Sequence, residues 1–427
     1  MKISSAQKDT LYLFVLQGMN YAIPILLMPY LMIKLGVKSY GLIGFSTAII
    51  QFLILFVDFG FNMSATKRVA VHKDNKLVLS RIFYSTIFAK TILLIVSIFI
   101  FIFIINISKF DEYKIALLCS LPMLLGNTYT FTWFYQGIGN IRFLSILSMF
   151  CRILILPTIF YFVQTSQDYV KAIFINSFVY MVIAFISIFW IFKNKMIDKA
   201  KISLESIKFE IKESFPFFLS TASISIYTQL FVVILGLFAT PAIVGIYTAA
   251  DKIIRAISLL FYTPINQVYY PKIANISSQD QEKALSLLRN VFKFSIALMT
   301  FLSLIIFIFS SFIEKKIGVE YEGLSNLLKI LSPVPIAVAI GGIAGQLGLI
   351  AYIDNSKTKQ IFQNIYIVAG IFSICLVSFL AYFFQAQGTS IAVLLTESLV
   401  AILMVYYFNK YLRDNNSSKN IFSRIED

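Results

Sequence analysis

The chain has 427 residues, of which 59% are hydrophobic and only 13% charged. With a mean hydropathy of +0.82, that balance excludes an ordinary soluble protein, in which about a quarter of residues carry charge. The formal charge of +15 does not point to nucleic acid, because the basic residues fall in short stretches between apolar runs, the orientation signal of a membrane protein.

A helix needs about 20 apolar residues to cross a bilayer. Twelve runs qualify: 11–33, 40–62, 82–107, 115–136, 144–163, 171–192, 214–238, 243–268, 290–313, 325–350, 361–384 and 388–411. The expected fold is an all-α integral membrane protein. The first run is too long for a signal-peptide core and no small-residue cleavage site follows it, so it reads as a retained helix. Twelve spans put both termini on one side. With Lys171, Lys293 and Lys410, at the ends of their spans, counted to the adjoining loop or terminus, 24 of the 36 Lys and Arg fall in the termini and even-numbered loops and 7 in the odd-numbered loops. The excess marks the even side, and with it both termini, as cytoplasmic. Cys119, Cys151 and Cys375 lie inside apolar runs, so no disulfide framework and no metal site are expected.

The loop 193–213 carries six lysines, and its tail has apolar residues at Ile202, Leu204, Ile207 and Ile211. That pattern suits an amphipathic helix lying in the headgroups with its basic side chains toward anionic lipids. It divides the chain into a bundle of six helices over 1–200, a linker over 201–213, a second bundle of six over 214–411 and a cytoplasmic tail over 412–427. A shift of 204 residues lays Gly41 on Gly245 and the first span on the seventh. An even number of spans per half implies a parallel repeat about an axis along the membrane normal, with the substrate path between the halves. Prolines interrupt several spans. Pro24 in span 1 and Pro333 with Pro335 in span 10 are the candidate hinges for gating, against the alternative of static kinks.

Span 8 carries Asp251, Lys252 and Arg255 near its middle. Each charge at a helix centre costs about 2.5–3.5 kcal/mol on insertion scales, so this flank must face protein or a wet cavity. Asp251 and Arg255 stack one turn apart. One acid against two bases leaves positive charge over, which suits an anionic cargo; a structural ion pair is the alternative. Lys90 and Arg152 sit about eight residues, roughly 12 Å, from the inner ends of their spans. Asp58 lies near the inner end of span 2, and Glu397, mid-span in span 12, is the best candidate for a proton-titrated group. Trp133-Phe-Tyr-Gln136 reads as an interfacial aromatic belt, with stacking on sugars as the other use. There is no nucleophile elbow, P-loop, HExxH or dinucleotide-binding glycine motif, so no enzyme, ATP site or cofactor is expected.

Three stretches resemble those of the bacterial polysaccharide-export flippases, and more narrowly the O-antigen type: Asp58-Phe-Gly-Phe-Asn-Met-Ser-Ala-Thr66, Trp133-Phe-Tyr-Gln-Gly137 with Arg142, and Gly245-Ile-Tyr-Thr-Ala-Ala-Asp-Lys252. The resemblance covers the full length and implies two six-helix bundles in the bacterial inner membrane. It implies a cargo of undecaprenyl-pyrophosphate-linked oligosaccharide moved by alternating access, with an O-antigen polymerase and a chain-length regulator as partners. Arg255, Lys252, Arg152 and Lys90 would then line a central cationic cavity, with Asp251, Glu397 and Asp58 in support. The driving force would be H+, Na+ or consumption of the product. An ion-coupled multidrug antiporter of the same superfamily is the alternative, disfavoured by five intramembrane bases against three acids. A polymerase or ligase would need a sizeable outer loop, and a major-facilitator sugar transporter an Asp-Arg loop signature in 63–80; neither is present in the sequence.

Overall fold

The computed structural model describes residues 5–422, with the side chains of 5–22, 24, 220, 223–224, 226–228 and 414–422 left out. All regular elements among the described residues are helical. That is what a lipid environment dictates, since each backbone N–H and C=O must find its partner inside the segment. Among the described residues, eight helices are long and apolar enough to cross a membrane.

Two of these are far too long for one crossing. Helix α1 (Ser5–Asp58) has 54 residues but breaks at Gly36, where φ is 72° and ψ 171°. At 1.5 Å per residue an unbroken helix of that length would reach about 80 Å, against a hydrocarbon core of about 30 Å. The break falls between the spans expected at 11–33 and 40–62. Helix α13 (Ser356–Phe422) breaks in the same way at Gln385, with φ 47° and ψ −124°, between the spans expected at 361–384 and 388–411. Between them run α2 (Phe61–Val71), α3 (Lys76–Ile105), α4 (Lys114–Thr128), α5 (Thr132–Gly137), α6 (Ile141–Phe162), α7 (Tyr169–Lys193), α8 (Leu204–Phe238), α9 (Pro241–Ser277), α10 (Gln281–Ile317), α11 (Leu324–Leu331) and α12 (Val334–Gly342). The span expected at 325–350 is α11, a turn at Pro333, α12 and then a π-helix over Ile343–Tyr352. Wide turns of this kind often mark functional positions in a helix. Pro24 lies outside the described side chains.

The chain folds as two units, divided between Gly245 and Ile246. In the first, α1 packs on α4, α6 and α8, and α4 on α7. In the second, α12 and the π-helix pack on α13, and α10 on α12. The stretch 204–213 forms the first turns of α8, begun by a reciprocal capping box between Ser203 and Ser206. Glu210 within it is only 1% exposed. It pairs with Arg68 of α2 and accepts a hydrogen bond from Ser85 Oγ at 2.8 Å.

The glycines that the 204-residue shift superposes touch one another. A Cβ on Gly41 would lie 1.8 Å from the carbonyl oxygen of Pro241, and one on Gly245 would lie 2.0 Å from that of Val37. Only residues without side chains allow two backbones this close, the usual device where membrane helices cross tightly.

Candidate functional site

Besides the Arg68–Glu210 pair, two charged clusters stand out among the described residues, one in each unit. The first begins where α1 ends. Asp58 is its last residue, and Phe59 (φ 39°) and Gly60 (φ 80°) then turn left-handed to start α2 in a new direction. Gly60 is required twice over: its φ is positive, and a Cβ there would sit 2.6 Å from the Ser214 carbonyl oxygen. Phe59 stacks on Phe218 at 4.4 Å, fixing the turn. Asp58 is thereby held toward α3, where the deeply buried Lys90 donates to its Oδ1 at 2.8 Å.

Lys90 and Asp58 line a cavity of about 250 Å³ together with Arg152 and Tyr180. Arg152 Nη2 lies 3.5 Å from the Tyr180 hydroxyl, and its guanidinium sits 5.5 Å from the centre of that ring. Its Nε is buried and, among the described residues, without a hydrogen-bond partner. The rest of the wall includes Asn62, Asn127, Thr130 and Ser148. Sequence reasoning missed these four. Polar residues inside apolar runs were their only signal, and nothing in spacing joins α2, α4 and α6.

The second cluster is on α9 and α13. Arg255 Nε donates to both oxygens of Asp251, at 2.9 and 3.1 Å. Its Nη1 lies 3.9 Å from Oε1 of the buried Glu397. Lys252 is the next residue on α9. Tyr247, one turn before Asp251, is fully buried with a hydroxyl that has no hydrogen-bond partner among the described residues. The expectation of surplus positive charge on span 8 is corrected here. Glu397 joins Asp251 beside Arg255, so a second acid enters the cluster that span 8 alone does not supply. The surplus lies in the first unit, where Lys90 and Arg152 share the cavity with Asp58 alone among acids.

The aromatic stretch after α4 is also corrected. Trp133, Phe134 and Tyr135 are fully buried, so they form neither an interfacial belt nor a platform for sugars. Phe131, with φ 49°, turns the chain inward at this point. Phe134 then packs edge-on to Phe83 at 4.9 Å, and the Tyr135 hydroxyl donates to the Ser187 carbonyl at 2.8 Å.

A family model described as polysaccharide biosynthesis protein matches residues 6–277. Over 405 residues, 94% of this chain and 96% of the relative, the sequence is 31% identical to the "Putative O-antigen transporter" of Escherichia coli (strain K12). The chain belongs to the polysaccharide biosynthesis protein family. A protein of the same description from Shigella dysenteriae is 26% identical over 401 residues, 93% of this chain and 99% of that one. Among solved structures, this family member is similar to the inward-facing conformation of a multidrug resistance MATE family transporter of the MOP superfamily. The TM-score is 0.72 at 14% identity, with 93% of this chain and 96% of the other covered. It is also similar to the lipid II flippase MurJ in an inward closed conformation, with a TM-score of 0.70 at 14% identity over 94% and 87% of the two chains. At that identity the two structures establish the fold class alone: an all-helical membrane protein of the MATE and MurJ type.

Proposed function

We propose that this polysaccharide biosynthesis protein is a flippase that carries undecaprenyl-pyrophosphate-linked oligosaccharide across the bacterial inner membrane by alternating access. The observation that carries the reading is the cavity of the first unit, where Arg152 keeps an uncommitted Nε beside the neutral Lys90–Asp58 pair. A buried guanidinium edge without a partner is costly unless an anionic or hydroxyl-bearing group meets it. The O-antigen transporter relatives support the same cargo class.

In this reading Arg152 in the first unit and Arg255 and Lys252 in the second supply positive charge to the pyrophosphate, while Lys90, paired with Asp58, adds a donor without net charge. Asp58, Asp251 and Glu397 hold those bases in position before cargo arrives, and Glu397 is the group through which H+ or Na+ would couple. The breaks at Gly36 and Gln385 each divide an overlong helix in two, which supports the count of twelve spans, and the basic loops support cytoplasmic termini. Pro333 and Pro335, flanking the start of α12 ahead of the π-helix, support a hinge there, with Pro24 as its counterpart.

Deleting the protein tests this. Surface glycan should disappear while the lipid-linked unit accumulates where a membrane-impermeant oxidant of sugars cannot reach it. Unchanged glycan together with raised sensitivity to cationic drugs would favour the multidrug antiporter instead.

A further inference from the structure

The cavity of the first unit carries more hydrogen-bonding capacity than its charges explain. Asn62 on α2, Asn127 on α4 and Ser148 on α6 all line it. Two carboxamides and a hydroxyl supply both donors and acceptors. Thr130, a fourth polar wall residue, is committed, since its hydroxyl donates to the Gly126 carbonyl at 2.7 Å. Among the described residues, the other three side chains have no hydrogen bond that would give them a structural role. They come from three helices, at positions far apart in sequence, and converge on one space. Asn127 and Ser148 are half-buried in membrane helices, where polar side chains are disfavoured unless they meet a partner, and Asn62 is exposed beside them in the cavity wall.

Of the charges beside them only Arg152 keeps an uncommitted donor for a phosphate oxygen, which leaves the carboxamides and the hydroxyl to a polar but uncharged part of the cargo. Lys90 is neutralised by Asp58 at 2.8 Å. The Arg152 guanidinium lies over one face of the Tyr180 ring. Carboxamides in this setting suit vicinal hydroxyls and acylamino groups, which offer donors and acceptors in pairs. A pyrophosphate offers acceptors only and would leave the carboxamide oxygens unmet. At about 250 Å³ the cavity falls below the usual range of about 300–1,000 Å³ for drug-sized ligands. It suits one sugar ring and not a whole oligosaccharide.

We infer that Asn62, Asn127 and Ser148 form a sugar-reading subsite that recognises the hydroxyl pattern of one glycan residue beside the pyrophosphate and so sets which lipid-linked glycan is carried. The inference rests on the flippase reading and names the part of the cargo this cavity takes. Asn127 and Ser148 are half-buried and Asn62 is exposed, so it is the bound sugar that shuts water out, and a ligand lacking a matching hydroxyl then leaves these groups unpaired.

The test uses the full chain in lipid nanodiscs with two probes. One is undecaprenyl pyrophosphate; the other is the undecaprenyl-pyrophosphate-linked oligosaccharide extracted from the cells that carry this protein. The wild type should bind the glycan-bearing lipid about tenfold or more tightly than the bare one. In Asn62→Ala/Asn127→Ala, and in Ser148→Ala added to it, that preference should collapse to within about threefold, with the Kd for bare undecaprenyl pyrophosphate unchanged. The unchanged Kd doubles as the check on folding. A preference that survives in the triple variant overturns the inference, as does an equal loss of both probes, which would assign the cavity to the pyrophosphate. A wild type that binds both lipids equally overturns the inference but leaves the flippase reading standing. A wild type that binds neither overturns both.

Discussion

Gly41→Ala puts the helix crossing of the first unit to a direct test. The added Cβ would lie 1.8 Å from the Pro241 carbonyl oxygen, whereas real Cβ atoms essentially never approach a heavy atom within 3.0 Å. The two helices must therefore separate by more than 1 Å at this point. The obstructing atom is backbone, so no rotamer change relieves the clash, and the Gly245 N–H, 2.8 Å away, must move with it. Overpacking usually costs about 1–3 kcal/mol, and a backbone-on-Cβ clash belongs at the upper end. For a unit of this size about 3 kcal/mol corresponds to a fall of roughly 6–12 °C in Tm. Thermal unfolding of the purified protein in detergent reads this, with surface glycan as the readout in cells. Gly245→Ala should behave alike, because its Cβ would meet the Val37 carbonyl oxygen at 2.0 Å. A Gly41→Ala protein with wild-type Tm and wild-type export would refute the close crossing.

Three further outcomes follow from the buried ionic contacts. Arg68→Met leaves Glu210, 1% exposed, without its cation and should destabilise the protein by about 3–5 kcal/mol; Arg68→Met/Glu210→Met should recover most of this in the same thermal assay. Arg255→Ala should lose export while the protein stays in the membrane and Arg255→Lys should retain part, since lysine keeps the charge without the fork that spans Asp251 and Glu397; normal export by Arg255→Ala would remove this residue from the path. Asp168, in the turn before α7, has its carboxyl held below the usual carboxylate range by the Lys171 ammonium at 2.6 Å and then by the backbone N–H groups of Thr165 and Gln164. Its folded pKa is depressed, so its contribution is present above about pH 4 and is lost as pH falls below that. Asp168→Asn should therefore be less stable than wild type at neutral pH, and the gap should close on acidification.

Much of the architecture was legible because lipid leaves the backbone few choices. Apolar runs of the right length had to be helices, and Gly36 and Gln385 break the two overlong ones between the spans read from sequence. The amphipathic pattern at 204–213 was real in period but misleading in partner. Its face buries Glu210 against Arg68 and Ser85, a contact between segments more than a hundred residues apart. Asp251 and Arg255 were legible because a helix places them one turn apart. Glu397, 142 residues further on from Arg255, could reach them only through the packing of α13, and its arrival changes the charge balance of the cluster. The burial of Trp133 and Tyr135 depended on Phe131 adopting a left-handed turn, which no aromatic pattern announces. Asn62, Asn127 and Ser148 converge by the same long-range packing.

Translocation in a purified system tests the central claim most directly. The protein is reconstituted into liposomes with the lipid-linked oligosaccharide extracted from its own cells, and the fraction of glycan open to an external glycosidase is followed over time. The account predicts that glycan moves from the protected to the accessible leaflet in protein-containing vesicles and that Arg152→Ala slows this at least tenfold. Accessibility that stays at the protein-free level, in vesicles that do exchange a cationic drug for protons or Na+, would contradict it.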